Sequence, residues 1–286
     1  MANNTIATPQ TATEARITDK EFGAIRKLVY DKFGINLTEQ KKTLVVGRLQ
    51  KVLREREFAT FDEYFQWLIQ DKSGSGLDEL ATRISTNHTF FYREKAHFEF
   101  FQGTVLPEIH ARHQATGNKE FRIWCAGCSS GEEPYTLMML MMDFLGSQLN
   151  QWKPILLATD ISARALKTAM SGEYPQDRVS QLPPGLRNKY FQKTPDGLMS
   201  VAPAVRDRIF FRRHNLMDPT FPFKKQFDAI FCRNVMIYFD RPTRNTLVGK
   251  YHQHTVPGGY LFIGHSETLG RDETPYNYVM PAVYRK

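Results

Sequence analysis

Two acidic residues stand at the start of a predicted helix in the central stretch of the sequence, where a phosphate would ordinarily bind. Residues 121–140 show the pattern of a buried strand, a turn of small residues and an apolar helix. A helix N-terminus favours anions because of its free amide groups and its dipole. Glu132 and Glu133 would instead repel a phosphate, and the turn lacks the G-x-G-x-x-G spacing of dinucleotide sites. The pattern therefore favours a positively charged nucleoside ligand such as S-adenosylmethionine.

The residues around these acids predict how the helix begins. Ser130 lies three residues before Glu133, which is the spacing of a capping box. Pro134 suits the first turn because the amide hydrogen that it lacks would have no helical partner there. Gly127 lets the backbone turn sharply and a ligand approach it closely. The alternative is that Ser130 and Glu133 only cap each other and bind no ligand.

Polar residues also follow the other strands predicted for this sheet, at 154–160, at 208–215 and from 227 onward. They are Asp160, Asn215, Arg233 and Asn234. An acid after the second strand of such a sheet is placed to bind ribose hydroxyls. Because ligands of open α/β sheets bind outside the carboxyl ends of the strands, we expect these four residues to meet near the turn at Gly127.

Two other chemistries are suggested by local patterns and then disfavoured. Cys125 and Cys128 have C-x-x-C spacing, but no second pair or suitably spaced histidines complete a metal or redox site. We therefore interpret them as packing residues and predict no metal. His265, Ser266 and Glu267 suggest a hydrolytic triad, but adjacent residues of an extended segment point to opposite faces and cannot form its relay.

The composition limits the classes of protein that remain. With 286 residues, 41% of them hydrophobic, the chain can form an α/β core and a smaller second unit. Its longest apolar run ends at Asp143, well short of the ~18 residues of a membrane-spanning helix, and no signal peptide is evident. Three cysteines suit a reducing compartment, so we expect a cytoplasmic protein without direct membrane insertion. The net charge of +8 favours an anionic partner, either nucleic acid or acidic protein.

An all-α domain is predicted for residues 17–80, after a polar segment at 1–16 that we expect to be disordered. Its helices are expected after Thr18, at 39–56 and at 61–70. The helix at 39–56 carries basic residues opposite its apolar side, where charge would not disturb the core; they are Lys41, Arg48, Lys51 and Arg54. This basic face is either solvated surface or a docking face for an acidic helix.

The end of this domain and the rest of the chain are predicted in less detail. We expect Tyr64, Phe65, Leu68 and Ile69 to form the buried face of the third helix, and the SGSG segment at 73–76 to be flexible. Residues 81–95 form a linker that is rich enough in polar and aromatic residues to contribute to the active site. The second domain spans 96–286, with helices at 96–113, 163–170 and 242–255, a strand at 259–264, a late edge strand at 279–284, and a small insertion at about 176–206.

Four motifs in this order resemble the chemotaxis receptor methyltransferases, the CheR family: TNHTFFYRE at 86–94, SSGEEPYT at 129–136, FDAIFCRNVMIYF at 227–239 and GGYLFIGHSE at 258–267. The resemblance implies an α/β fold, with an all-α N-terminal domain before a Rossmann-like S-adenosylmethionine-dependent methyltransferase domain that carries a small β-subdomain. It also implies methyl transfer from S-adenosyl-L-methionine to glutamates on the cytoplasmic helical domain of methyl-accepting chemoreceptors. The products would be glutamyl methyl esters and S-adenosyl-L-homocysteine.

Carried over motif by motif, the resemblance implies roles for individual residues. Cofactor contacts fall on Asn87, Thr89, Arg93, Glu133, Asp160, Asn215, Leu216, Arg233 and Asn234. Arg93 and Tyr238 would be catalytic, lying closest to the transferred methyl, while the basic face would dock to receptors in their membrane-bound arrays. Some members bind a receptor C-terminal pentapeptide through the β-subdomain. Because the QKTPD loop at 192–196 is short and lacks the glycine-rich stretch of those members, we expect no dependence on that peptide.

Two alternatives to this function are compatible with parts of the sequence. A nucleic-acid methyltransferase would suit the net charge, but the basic residues cluster on one helix of the all-α domain, and no base-stacking platform follows Asn234. We therefore predict no nucleic-acid partner. A non-catalytic module that only binds S-adenosylmethionine is the second alternative, and it differs from the enzyme in turnover alone.

Overall fold

The structure is a computed structural model that describes residues 15–286. Disorder was predicted for residues 1–16, and residues 1–14 of that segment lie outside the described range. None of the helices within the described range is long and apolar enough to cross a membrane.

Four helices form the N-terminal domain: α1 (Asp19–Phe33), α2 (Lys42–Glu55, preceded by a short 3-10 turn), α3 (Phe61–Gln70) and α4 (Ser75–Ile84). The capping box predicted at Thr18 is present: its hydroxyl accepts a hydrogen bond from the Glu21 N–H at 3.2 Å, and its own N–H donates to the Glu21 carboxylate at 2.7 Å. The apolar stripes of the four helices meet in one core. This arrangement satisfies the amphipathic pattern because each helix buries only one face.

The helix α4 was missed by the sequence analysis, and the segment at 73–76 is held in place. Asp71 accepts hydrogen bonds from the Ser73 hydroxyl at 2.5 Å, the Gly76 N–H at 2.7 Å and the Ser73 N–H at 2.8 Å. These bonds, the one from the Ser73 hydroxyl first, lower the pKa of Asp71 to about 2. Gly74 supplies a left-handed residue (φ 75°) at the helix start. The glycines and serines therefore build a fixed helix entry, and the boundary expected near residue 80 falls inside α4.

The buried face of α3 agrees only in part with the prediction. Tyr64 and Leu68 are buried as expected, and Phe65 is half-buried, but Ile69 is 54% exposed. Phe61, at the first turn of the helix, is fully buried instead. The helix turns its 61/64/68 stripe to the core, which follows from the spacing of 3.6 residues per turn.

The segment predicted as one helix at 96–113 is helical throughout but not uniform. It consists of α5 (Lys95–Phe100), a π-helical turn (Phe101–Val105) and α6 (Leu106–Thr116). Phe101 in the π turn is fully buried and packs edge-on against Phe231 of the sheet at 5.3 Å between ring centroids. A π turn inserts one residue into the helix, so the apolar pattern shifts its face at this point.

The second domain is an open, mostly parallel sheet with helices on both faces. Its elements continue in chain order: β1 (Glu120–Ala126), α7 (Glu132–Leu145), β2 (Lys153–Asp160), α8 (Ala163–Ser171), β3 (Glu173–Tyr174), α9 (Gln176–Val179), α10 (Pro184–Tyr190), β4 (Phe191–Lys193), β5 (Met199–Val201), α11 (Pro203–Arg206), β6 (Ile209–Arg213), β7 (Phe227–Cys232), α12 (Arg241–His254), β8 (Thr255–Ile263), β9 (Asn277–Met280) and β10 (Val283–Arg285). The seven-stranded sheet has the order β6-β2-β1-β7-β8-β10-β9, and its first five strands are parallel. The carboxyl ends of β2, β1 and β7 therefore meet at one edge, as Rossmann-like folds require.

The late edge strand predicted at 279–284 is wrong in detail. The structure has an antiparallel hairpin there, in which β10 pairs with β8 and β9 forms the edge. Ala282 adopts a positive φ of 63° at the turn. This conformation is uncommon for alanine, and the sequence pattern does not predict it.

The predicted insertion is a three-stranded antiparallel sheet of order β3-β5-β4, with α9, α10 and α11 around it. It begins at Glu173, slightly before the position expected. Phe91 of the linker packs edge-on against Tyr174 and Phe191, with centroids 5.0 Å and 5.6 Å apart. The β-subdomain therefore rests on the linker and not only on its neighbours in sequence.

The N-terminal domain packs directly on the sheet domain. An isolated bridge joins Ile35 to Phe239, and the Asn36 N–H donates to the Tyr238 carbonyl at 2.8 Å. Arg213 forms a two-pronged ion pair with Asp78, with one contact of 2.6 Å. The contacts leave the carboxyl edge of the sheet facing the all-α domain, with the linker between them.

Candidate functional site

A pocket lies at the carboxyl edge of the sheet, between the two domains. Its walls are the linker, the turn after β1, the ends of β2 and β7, and the loop after β6, and Phe33 and Ile35 of the N-terminal domain close one side. All nine residues predicted to contact the cofactor line this pocket, as does Tyr238. The four residues expected to meet near Gly127 do so because parallel strands deliver their ends to one edge.

The turn after β1 brings the backbone close to the pocket. Gly127 has φ 101°, and a Cβ at this position would lie 2.4 Å from a Val235 methyl, so only glycine fits. The predicted capping box is wrong: Gly131 is the N-cap of α7 and makes no side-chain cap, while Ser130 donates to Glu132 at 2.7 Å. Glu133 is thus not a cap and faces the pocket.

Asp160, at the end of β2, is held by backbone amides. Its two oxygens accept hydrogen bonds from the Ser129 N–H at 2.8 Å and the Ser162 N–H at 2.9 Å. Burial raises the pKa of Asp160, and the bonds from Ser162, Ser129 and Ile161 oppose that rise. Each carboxylate oxygen keeps a further lone pair, so the group can accept hydrogen bonds from two vicinal hydroxyls.

Arg233 lies between two carboxylates in the pocket wall. Its side chain is only 2% exposed and contacts Glu133 at 2.5 Å and Glu94 at 3.1 Å, and it also donates to the Arg93 carbonyl. Burial would raise the pKa of Glu94, but the charge of Arg233 and hydrogen bonds hold it below its usual value. Arg233 is therefore placed to orient the acids and the linker, with little surface of its own left for a ligand.

Asn234 adopts a left-handed conformation (φ 59°) at the end of β7 and lines the pocket. Its N–H donates to Glu267 at 2.9 Å, and Glu267 also accepts the Ile237 N–H at 3.0 Å. Burial raises the pKa of Glu267, while the amides of Gly264, Asn234 and Ile237 oppose the rise. Glu267 thus fixes the strained turn that presents Asn234 to the pocket.

Asn215 and Leu216 form the floor on the far side of Asp160. The Asn215 amide donates to the Lys32 carbonyl at 2.7 Å and accepts the Met217 N–H at 3.1 Å. Its polar groups therefore tie the loop to the end of α1. Leu216 is 9% exposed and gives this part of the pocket an apolar surface. A planar heterocycle would be buried well here, since its ring faces are apolar and its edge polar.

The linker forms the roof through its backbone. The Asn87 carbonyl accepts the Ser129 hydroxyl at 3.1 Å, which ties the roof to the turn after β1. The Thr89 carbonyl is 3.4 Å from the guanidinium of Arg178, a residue of α9 in the β-subdomain. Arg178 also lies 3.2 Å from Glu132, which is fully buried. The β-subdomain thus holds both the roof and the first turn of α7.

Arg93 and Tyr238 stand at the side of the pocket that remains open. The Arg93 guanidinium donates to the His88 carbonyl at 3.0 Å and is 3.9 Å from Glu94, a loose ion pair on a side chain that is 26% exposed. The Tyr238 hydroxyl has no hydrogen-bond partner among residues 15–286, and its ring lies under the Lys41 ammonium at 5.4 Å. Both side chains line the pocket and are only partly buried.

The predicted basic face is only partly a free surface. Arg48 is half-buried and donates to the Ile84 carbonyl at 2.7 Å and the Thr86 hydroxyl at 3.0 Å, so it caps the end of α4 beside the pocket. A charge reversal at Arg48 would therefore remove these bonds, although the residue lies opposite the apolar side of α2 as predicted. Lys51 and Arg54 are exposed, and Lys51 pairs with Glu55 at 3.8 Å.

The two chemistries disfavoured by the sequence remain disfavoured. The thiols of Cys125, Cys128 and Cys232 are buried, which raises their pKa values well above normal and makes them unreactive. Glu267 points into the fold, whereas His265 and Ser266 are exposed. These residues therefore cannot form a triad.

Several site residues were not predicted. Ser129, Glu94 and Glu267 contact the predicted ones directly through the hydrogen bonds given above. Glu94 and Glu267 are the last acids of two of the quoted motifs, which is the signal that could have found them. No comparable signal marks Phe33 and Ile35, because they reach the pocket only through the packing of the two domains.

Comparison with known families gives two matches that together span nearly all of the described chain. The description "CheR methyltransferase, all-alpha domain" matches residues 20–85, and "CheR methyltransferase, SAM binding domain" matches residues 87–284. A chemotaxis protein methyltransferase of Borreliella burgdorferi is 44% identical over 94% of this chain and 95% of its own length. The chemotaxis protein methyltransferase of Escherichia coli is 33% identical over 94% of this chain and 91% of its own.

Proposed function

Because this chain belongs to the CheR methyltransferase family, a family of S-adenosylmethionine-dependent enzymes of chemotaxis, we propose that it methylates glutamate side chains of chemoreceptors. The product would be a glutamyl methyl ester. The observation that carries the proposal is the pocket: a buried carboxylate at the end of β2, acids at the start of α7 and an open side lined by Arg93 and Tyr238. The donor set suits a cationic nucleoside and a second, acidic substrate.

The residues present fit S-adenosylmethionine, which supplies an electrophilic methyl group when bound. Asp160 would accept the ribose hydroxyls, since it lines the pocket and both of its oxygens are fixed by amides. Asn215 and Leu216 would hold the adenine, and Glu133 would attract the ammonium group. The turn after β1 keeps its shape because a side chain at Gly127 would clash with Val235.

The chain's own residues need to do little acid or base chemistry. A glutamate carboxylate is already ionised at neutral pH, so attack on a methyl group requires no general base. Arg93 would orient the incoming carboxylate by charge, and its loose pair with Glu94 leaves it able to do so. Catalysis then depends on alignment and on exclusion of water from the nucleophile.

The direct test is to incubate the purified protein with methyl-labelled S-adenosylmethionine and membranes that contain chemoreceptors. Label should appear on the receptor and be released as methanol by mild alkali, because carboxyl esters hydrolyse there and N-methyl groups do not. The matched control is receptor in which the candidate glutamates are replaced by alanine. Label that survives alkali, or that appears on nucleic acid, contradicts the proposal.

A non-catalytic binding module is separated from the enzyme by the same assay. The module would bind S-adenosylmethionine and S-adenosylhomocysteine in calorimetry but release no labelled methanol. Turnover beyond one methyl group per chain excludes it. Binding without turnover on receptors taken from several sources would exclude the enzyme.

Docking would use α2, beside the open side of the pocket. Lys41 lies over Tyr238, and Arg48 contacts residues that line the pocket, so a receptor helix on α2 would reach the methyl position. Positive charge on this helix complements the acidic partner that the proposal requires. This docking would bring the protein to the receptor arrays at the membrane.

We expect no dependence on a receptor C-terminal peptide. The β4–β5 loop is closed by the Thr194 N–H to the Leu198 carbonyl at 2.8 Å and by the Gly197 N–H to the Thr194 carbonyl at 3.0 Å. Although β4 is an edge strand, it has only three residues, and Pro195 in its loop has no N–H to donate. Titration with an aromatic-acidic pentapeptide should show no binding with a micromolar dissociation constant, which corresponds to a binding free energy of about −8 kcal/mol. Micromolar binding that is lost on mutation of β4 would contradict this expectation.

A further inference from the structure

Three side chains with metal-binding atoms meet behind the pocket, on the side of the roof. They are Glu94, His97 and His265, and their donor atoms all lie within 4.8 Å of one another. His97 is fully buried, whereas His265 is exposed, so the cluster runs from solvent into the protein. The two imidazole rings meet edge to face, with centroids 4.5 Å apart.

The His97 imidazole faces two oxygen acceptors with opposite ring nitrogens. Its Nε2 is 3.4 Å from the Pro281 carbonyl, and its Nδ1 is 3.4 Å from the Glu94 carboxylate and has no hydrogen-bond partner. A neutral imidazole carries one N–H and can donate to only one of the two. The other nitrogen then points a lone pair at an oxygen lone pair.

Only the contact with Pro281 has the geometry of a hydrogen bond, whereas Nδ1 has no partner, and this assigns the N–H to Nε2. The remaining arrangement has the proton on Nε2, donating to Pro281, and a lone pair on Nδ1 that faces the carboxylate. A histidine whose far N–H is bonded to a carbonyl is the arrangement that orients metal ligands in proteins.

We propose that Glu94, His97 and His265 form a binding site for a divalent transition metal ion of the zinc class. The ligands would be the Nδ1 of His97, one Glu94 oxygen and a ring nitrogen of His265, with the fourth position open to water. Bonds of about 2.0–2.1 Å in a tetrahedron place ligand atoms about 3.3 Å apart. The observed 3.4 Å between His97 and Glu94 matches that edge, and the exposed His265 ring can turn to complete the set.

Metal binding at this site competes with the ion pair behind the pocket. The Glu94 oxygen that faces His97 also accepts Arg233 at 3.1 Å and the His265 N–H at 3.2 Å. A bound cation would draw this carboxylate away from Arg233, which in turn holds Glu133 and the Arg93 carbonyl. The ion is thus expected to weaken the cofactor pocket, a consequence that rests on the proposed function, whereas the binding itself does not.

The test is titration of the untagged full chain with Co²⁺, whose visible absorption reports coordination number. Wild type should bind one ion per chain with the intense absorption of a four-coordinate site. His265→Ala should weaken this binding by on the order of tenfold or more, since it removes one of three ligands. His252→Ala is the matched control: it removes one half-exposed histidine of α12 that does not belong to the cluster, and it should change nothing.

Three results would overturn the site. They are the absence of a four-coordinate spectrum in wild type, equal affinity in wild type and His265→Ala, and an equal loss of affinity in both histidine variants. Thermal unfolding of each variant verifies that it is folded. Because the spectrum requires neither S-adenosylmethionine nor receptor, failure of the metal site and failure of the proposed methyl transfer are separate outcomes.

Discussion

Single carboxylates at the site do different work because their surroundings differ. Asp160 has its oxygens fixed by the amides of Ser129 and Ser162, so that it can receive hydroxyl groups without moving. Glu133 is held by Arg233 and also receives the Cys125 thiol at 3.0 Å. Glu267 has become a structural acceptor for three backbone amides. All three side chains are carboxylates, and their hydrogen-bond partners decide their different roles.

Replacing Asp160 with Asn should weaken cofactor binding. The loss of a charge-assisted hydrogen bond costs about 1.5–3 kcal/mol, and one amide oxygen cannot serve both backbone amides and hydroxyls. Because the pKa of Asp160 is raised by burial, wild-type affinity should also fall as the pH is lowered toward that pKa and the carboxylate gains a proton. Calorimetry with S-adenosylhomocysteine between pH 7 and pH 5 measures both effects. An Asn variant with the wild-type pH profile would assign the titration to another group.

Replacing Tyr238 with Phe should lower turnover and leave cofactor affinity unchanged. The hydroxyl is without a hydrogen-bond partner within residues 15–286, so its removal costs the fold nothing, while the ring keeps its contact with Lys41. A neutral hydrogen bond to the substrates is worth about 0.5–1.5 kcal/mol, which corresponds to roughly a twofold to tenfold loss in kcat. The same kcat in both proteins would limit Tyr238 to a wall of the pocket.

The elements around the pocket are joined by a few long-range contacts. The β-subdomain touches the first turn of α7 twice: the Tyr174 hydroxyl donates to the Ser130 carbonyl at 2.6 Å, and Arg178 lies beside the buried Glu132. A Cβ on Gly131 would lie 2.7 Å from that hydroxyl. The β-subdomain therefore supports the turn after β1, and this support does not depend on any ligand of the β-subdomain.

Replacing Arg178 with Ala should destabilise the protein and loosen the roof. The change leaves the fully buried Glu132 without its cation, at a cost on the order of 1–3 kcal/mol, and frees the Thr89 carbonyl. Denaturant unfolding and S-adenosylhomocysteine binding should both weaken.

The matched control is Arg187→Ala on α10 of the same subdomain, which removes an arginine that is half-buried like Arg178 but contacts neither group. Unfolding and binding should then stay at wild-type values. If Arg178→Ala and Arg187→Ala behave alike, the contact with Glu132 does not support the pocket.

At the scale of the whole molecule, the two domains make one site. The N-terminal domain contributes Phe33 and Ile35 to the pocket and places α2 at its open side, while the sheet domain contributes the carboxylates. Recognition and chemistry are thus next to each other. Charge on α2 can therefore change the rate of encounter with a receptor without changing the affinity for the cofactor.

Reversing Lys51 and Arg54 to Glu should slow receptor methylation and leave S-adenosylhomocysteine affinity unchanged. Both residues are exposed on α2, and like-charge repulsion with an acidic partner lowers the association rate. Added salt should slow the wild type more than the variant because it screens exposed charges. Arg48 is left intact because its bonds to residues 84 and 86 are structural.

The control for this reversal is Lys20→Glu with Lys27→Glu, which makes the same change in charge on α1 of the same domain. Equal methylation rates for the two double variants would show that only net charge matters. An unchanged rate for the α2 variant would leave that face as solvated surface.

Much of this protein was determined by its sequence alone. Apolar runs predicted most strands of the large sheet, and the helical period predicted most helices. The polar residues after the predicted strands located the pocket, because parallel strands must end at one edge. Corrections fall where a local signal has two meanings. The SGSG segment fits either a flexible loop or a fixed helix entry, and the hydrogen bonds of Asp71 show that it is a helix entry. The spacing of Ser130 and Glu133 fits a capping box, but the Ser130 hydroxyl donates to Glu132 instead.

Only the tertiary structure decided which partners the charged residues have. Arg48 carries the same sequence signal as Lys51, yet it caps α4, and Arg233 reads as a ligand contact but is enclosed by Glu94 and Glu133. The two histidines that meet beside Glu94 are 168 positions apart in the chain. A charge interacts with whatever is brought within a few ångströms of it, and that distance is set by packing between elements remote in sequence.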